Sequence, residues 1–246
     1  MNPGDTSLGG TQRDFAKTVG GMVQRACDPS AAVRQEGLND LCRRYWKPVY
    51  YHLRVGWAKS NDAAKDLTQA FFLWLVEGGA LSRYEPQRAS FRTFLKSLLR
   101  HFVQNQDEAL GRLKRGGGVS ILPLEDPAAP LDGLLANPGS VDPDEAFHKA
   151  WRSTVIARAV DRVRTTLLAE GKDVKFRVFE AYDLRTEGEQ PTYGTLGQQF
   201  GLQGSEVQHY LADVREMVRG EIRKELGETA SSPEELEEEW NAFFGS

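Results

Sequence analysis

Apolar residues along this chain recur at steps of three and four, the spacing of helices with one buried face. Leu38, Leu41, Tyr45, Val49 and Leu53 follow that spacing. Pro48 falls inside it and predicts a kink or a break between two helices. Ser60 or Asn61 caps the next helix, whose inward face is expected to be Leu67, Ala70, Phe71, Trp74 and Leu75. Gly78 and Gly79 end that helix. Ser90 caps another, with Phe91, Phe94, Leu95, Leu98, Leu99 and Phe102 inward. A stretch rich in Gly, Pro and Asp then runs from Gly116 to about Pro143, long for a connection inside a compact domain. Beyond it Trp151, Val155, Val160, Val163 and Leu167 mark one helix, and Phe176, Phe179 and Tyr182 a second. From Thr192 to Arg223 the pattern is helix-turn-helix. Thr192 caps a short helix with Leu196 and Phe200 buried, and Gly197 lets the next helix approach. Residues 201–204 turn, and Ser205 caps a helix faced by Val207, Leu211, Val214, Val218 and Ile222. Period-two alternation is confined to residues 119–124, the one candidate strand. The expectation is an all-α protein of two small helical domains joined by a flexible acidic linker. Its parts are a disordered N-terminus (1–13), a first domain (14–115), a linker (116–144), a second domain (145–227) and an acidic tail (228–246).

Composition narrows the classes. The chain has 246 residues, 40% of them hydrophobic and 27% charged, as in ordinary soluble domains. No apolar run approaches the roughly 18 residues that cross a bilayer. The polar, Gly-rich start lacks a signal peptide, so no membrane association and a cytoplasmic location are expected. Cys27 and Cys42 are too few for a disulfide framework and are expected to be reduced, partly buried thiols. His52, His101, His148 and His209 are scattered without metal-ligand spacing. With no glycine-rich phosphate loop and no nucleophile–base pattern, neither an enzyme nor a cofactor is expected. The net charge of −4 argues against nucleic acid until its distribution is seen. Between Gly116 and His148 there are six acids and no Lys or Arg, and after Lys224 there are acids only. The two helical segments themselves are near neutral or basic.

Three helices carry the candidate chemistry. On the helix from 60 to 77, Asp62, Asp66 and Gln69 share a stripe, followed by the apolar wall Phe71-Phe72-Leu73-Trp74. The helix after Ser90 places Arg92, Lys96 and Arg100 at steps of four, with His101, Gln104 and Asn105 beside them. Cations flanked by amides suit phosphate and base-edge contact, although a solvated cationic face has the same pattern. The second helix of the helix-turn-helix offers Ser205, Gln208, His209 and Tyr210 near its start, with Arg215 and Arg219 further on.

In order and spacing these features resemble the bacterial sigma-70 family of RNA polymerase sigma factors, of the extracytoplasmic-function type. The resemblance covers about residues 14–110 and 145–226. The stretch Ala63-Ala64-Lys65-Asp66-Leu67-Thr68-Gln69-Ala70-Phe71-Phe72 resembles the acidic motif of sigma region 2.2. It implies that Asp62, Asp66, Gln69 and Phe72 grip the β′ clamp helices of core polymerase. Ala63 and Lys65 stand where the family has acids, which should weaken that docking. Phe91-Arg92-Thr93-Phe94-Leu95 resembles the start of regions 2.3 and 2.4. It implies that Tyr84 stacks on a flipped minus-10 base while Arg83 and Arg88 hold the backbone. Arg92, Lys96, Arg100, His101, Gln104 and Asn105 would contact the minus-10 strand. Residues 195–207 resemble region 4.2, which implies that Ser205, Gln208, His209, Tyr210, Arg215 and Arg219 face the minus-35 element. That region would also meet the polymerase β flap. Gln208, Tyr210 and Asp213 replace cations usual in the family, so weak or altered minus-35 binding is expected. The acidic linker is either a solvated tether or an RNA mimic in a polymerase channel.

The acidic tail, with Trp240, Phe243 and Phe244, resembles the subgroup associated with Ser/Thr protein kinases. It reads either as a solvated end or as a regulatory element that docks on the basic faces or on a partner. A kinase or another regulator is therefore an expected partner, with Ser60 and Thr68 as phosphorylation sites. A phosphate adds about −1.5 to −2 charge, close to what Ala63 and Lys65 remove. The alternative is a helix-turn-helix DNA-binding regulator that works without polymerase.

Overall fold

A computed structural model describes residues 21–112, 142–185, 188–230 and 232–245. The N-terminal lead, the candidate strand at 119–124 and most of the linker lie outside the described residues. Among the described residues every regular element is a helix. They are α1 (Gly21–Ala26), α2 (Ala31–Gly56), α3 (Asn61–Glu77), a 3-10 turn (Ala80–Arg83), α4 (Phe91–Arg112), α5 (Pro143–Ala169), α6 (Asp173–Asp183), α7 (Tyr193–Phe200), α8 (Gly204–Gly227) and α9 (Pro233–Phe244). Contacts divide the chain into two compact units. The first holds the residues up to Thr154 and those from Gly227 onward, and the second is Val155–Leu226. The divisions therefore fall within α5 and at the end of α8. The start of α5 and the whole tail cluster with the first unit.

The first unit packs α2, α3 and α4 around Leu41, Tyr45, Leu53, Phe71, Leu75, Phe91, Leu95 and Leu99, all buried. Aromatic edges lock it, with Tyr45 5.3 Å from Phe91 and Phe71 5.6 Å from Phe102. Phe147 and Trp151 of α5 and Leu236 and Phe243 of α9 complete this core. Pro48 neither breaks nor ends α2, which is one helix of 26 residues. The proline costs one backbone bond, and the buried face on both sides (Leu41, Tyr45, Val49, Leu53) holds the helix together. Ser60 caps α3 by accepting from the Ala63 N–H at 3.2 Å. The inward face of α3 is rotated from the expected one. Ala64, Thr68, Phe71, Phe72 and Leu75 are buried, while Leu67, Ala70 and Trp74 are only half-buried.

The second unit buries Val155, Ala159, Val163 and Leu167 of α5 against Phe176 and Phe179 of α6 and Val207, Leu211 and Val214 of α8. Ala159 takes the inward position expected of Val160, because a strict step of four continues from Val155 to Leu167. The Glu225 side chain is wholly buried and meets Arg158 at 3.3 Å and also Arg162. Of the two cysteines, Cys27 is exposed rather than partly buried, and burial pushes the Cys42 thiol up to about 11.

Candidate nucleic-acid interface

The outward stripe of α3 runs Asp62, Asp66, Gln69, Leu73 and Val76, at steps of four and three. Asp62 and Asp66 are exposed and Gln69 is half-exposed. Leu73 and Val76 stand out at 42% and 41% exposure, unusual for large apolar groups on a helix that also fills a core. The stripe thus starts acidic at the helix N-terminus, where the macrodipole favours carboxylates, and ends apolar. Phe72 is not part of it. Its ring is buried against Trp46 at 5.9 Å and Phe71 at 5.5 Å. Thr68 is also inside, donating its hydroxyl to the Ala64 carbonyl at 2.7 Å. A kinase cannot reach it in the folded unit, whereas Ser60 is exposed. Leu73 was read only as part of the apolar wall, and Val76 was the member of this stripe that the sequence did not single out.

The loop after α3 displays Arg83 and Arg88, both exposed, with Arg88 paired to Glu85 at 2.7 Å. Tyr84 is not splayed outward for stacking. Its ring packs on Phe91 at 5.3 Å and Phe94 at 5.2 Å, and its buried hydroxyl has no hydrogen-bond partner among the described residues. Burial pushes that hydroxyl well above the ordinary tyrosine range, and the charge of Glu235 adds to it.

Along α4 the three cations share a face, as their spacing requires, yet they differ in access. Arg92 is 12% exposed, Lys96 13% and Arg100 59%. Arg92 is boxed in by an ion pair to Glu239 of α9, by the Trp151 ring 3.8 Å from its guanidinium carbon, and by His148 Nδ1 at 3.3 Å. Burial, then the charges of Arg92 and Lys96, push His148 down to about 4, so its ring is neutral at physiological pH. Lys96 donates to Asp144 at the start of α5 at 2.8 Å, and Arg100 lies 3.7 Å from the same carboxylate. Burial alone would raise the Asp144 carboxyl. The Lys96 bond and the charges of Lys96, His52 and Arg100 outweigh it and hold the group below the ordinary carboxylate range. Further along, His101, Gln104 and Asn105 are exposed, with a 3.2 Å hydrogen bond between Asn105 and His101. The open part of this face is therefore its C-terminal half.

In the second unit, α7 and α8 form the helix-turn-helix. Thr192 caps α7 by accepting from the Thr195 N–H at 3.1 Å. Gly201 takes the left-handed conformation at φ 70°, which closes the turn. A Cβ on Gly197 would lie 2.5 Å from the Leu202 carbonyl oxygen, so only glycine fits there. Gly197→Ala is expected to cost the second unit about 1–3 kcal/mol. Faster amide exchange in α7 and α8 would register the change. Ser205 is not the cap of α8. The Gln203 N–H donates to the Glu206 carboxylate at 2.8 Å, so Gln203 holds that position and Ser205 lies exposed in the first turn.

Gln208 and His209 are exposed and Tyr210 is half-exposed, so the first turns of α8 are open. Arg219 is exposed, and Arg215 makes a two-pronged bond to Asp183 at 2.9 and 2.8 Å. Sequence reasoning missed Lys175 of α6. It bonds Asp213 at 2.6 Å and stands 5.0 Å over the Tyr210 ring, which places a paired cation beside the start of α8. No local signal in the sequence joins residues that far apart. Asp144, His148, Trp151 and Glu239 escaped for the same reason.

Among the described residues no cluster of three or more His, Cys, Asp or Glu side chains is arranged to hold a metal ion. No helix among them is long and apolar enough to cross a membrane. The chain matches no protein-family profile, no curated protein and no solved structure.

Proposed function

We propose that this chain is a sigma factor that brings core RNA polymerase to promoters and helps open them. The observation that carries the reading is the α3 stripe. One exposed surface runs from Asp62 and Asp66 to Leu73 and Val76, in the same compact unit as the exposed Arg83, Arg88, Arg100, Gln104 and Asn105. An acidic-then-apolar stripe suits a partner helix pair with basic and apolar positions, which is the part assigned to the β′ clamp helices. The neighbouring cations and amides suit a displaced strand, and need binding energy only, with no catalytic group. The open α8 start, with Gln208 and His209, suits duplex reading at minus-35, where Lys175 and Arg219 supply the charge. On this reading the two helical units act together, and the β flap meets the second.

Regulation by a Ser/Thr kinase is assigned to Ser60 alone. A phosphate there sits at the N-terminus of α3, favoured by the macrodipole, and extends the acidic end of the stripe.

Co-purification with core polymerase tests the reading. The chain is expected to elute with core enzyme, and Asp62→Lys with Asp66→Lys to weaken retention at least about tenfold. Failure of the unmodified and the Ser60-phosphorylated chain alike to join core enzyme would overturn it. DNA binding without retention would leave a helix-turn-helix regulator instead.

A further inference from the structure

We infer that α9 is an intramolecular competitor for the DNA-facing side of α4, with Glu239 seated on Arg92 where a strand phosphate would sit. The inference rests on the reading of α4 as a nucleic-acid face, and adds a device that regulates it.

The contact is built from both charge and packing. Glu239 pairs with an Arg92 side chain that is almost fully enclosed. A guanidinium cannot serve this carboxylate and a phosphate oxygen at once, since both ask for the same N–H fork. Phe243 of α9 lies edge-on to Trp151 at 5.6 Å, and Arg152 stands 5.4 Å from the Phe243 ring. Leu236 and Phe243 are buried, and the start of the tail is held by Glu228 on Arg25 at 3.3 Å. Glu234, Glu237 and Glu238 face outward and add a field that repels phosphate.

The same helix covers what a strand needs most. Arg92 stacked on Trp151 is a cation and an aromatic face side by side, the pair on which unpaired bases stack. While α9 is down, Phe243 and Glu239 occupy both. Trp151 thereby becomes a binding residue that sequence resemblance did not assign. The mask is also releasable. A helix of 12 residues is marginal in isolation, so α9 persists only through these contacts. A ligand that binds only the released form has its apparent affinity reduced by the masked fraction.

The test uses the full chain and a fluorescent single-stranded DNA about 20 nucleotides long, enough to span one site. Glu239→Gln removes the pair's charge, and Glu238→Gln makes the same change on the exposed side of α9. Arg92→Ala removes the cation. Glu239→Gln is expected to bind DNA about tenfold tighter than the parent, Glu238→Gln within about twofold of it. Arg92→Ala added to Glu239→Gln is expected to abolish the gain. Hydrogen exchange of residues 233–244 in the parent should speed up when DNA is added.

Equal binding by Glu239→Gln and the parent, with exchange in α9 unchanged by DNA, would overturn the mask. If Arg92→Ala still weakened DNA binding in that case, the reading of α4 would stand without it. Absence of DNA binding by every variant, with or without core polymerase, would sink the reading of α4 and the mask with it. Circular dichroism of each variant separates these results from loss of fold.

Discussion

Phe91→Ala is expected to destabilise the first unit by about 3–5 kcal/mol, a large share of the few kcal/mol by which such a unit is stable. Phe91 is fully buried at the first position of α4, where it meets Tyr45 of α2 at 5.3 Å and Tyr84 of the loop at the same distance. The substitution loses the transfer free energy of a ring and leaves a hole that α2, α4 and the loop cannot all close at once. It also removes two edge-to-face contacts, each worth about 0.5–1.5 kcal/mol beyond the area buried. Tyr84 would lose one wall of its seat while Phe94 keeps the other at 5.2 Å. Urea unfolding followed by circular dichroism, with amide exchange in α2 and α4, measures the effect. A midpoint that does not move would show that the cluster carries far less of the unit than its burial implies.

Arg158→Met together with Arg162→Met is expected to cost the second unit about 3–5 kcal/mol, because it strands a carboxylate away from water. The Glu225 side chain is wholly buried, and both guanidinium groups reach it from the α5 side. A single replacement should cost less, since the other arginine remains. Adding Glu225→Leu to the pair should recover most of the loss, because an apolar trio of similar volume does not need the charge. Thermal unfolding of the single, double and triple variants measures each step. If the triple variant stays as unstable as the double, the three groups matter by shape and not by charge.

Local chemistry was legible in the sequence. Ser60 and Thr192 cap their helices and Gly201 turns the chain, since each acts within three or four residues of itself. The rotation of α3 was not legible. From Ala70 to Val76 every residue is apolar, so periodicity cannot choose which of Phe72 and Leu73 turns inward. The cap of α8 was read two residues late, at Ser205, because Glu206 reaches back to the Gln203 N–H and starts the helix earlier. The cations of α4 were found, but their access was not. Arg92 and Glu239 are 147 positions apart in the chain, and no pattern of spacing reports such a pair. The acidic tail showed that a negative segment existed, not where it lands.

The first unit is discontinuous, with one helix, α9, supplied by residues more than 70 positions beyond the rest of it. During synthesis Arg92 and Trp151 leave the ribosome long before Glu239 and Phe243 do. A nascent chain therefore displays an unfinished surface until residues 233–244 have emerged and folded back.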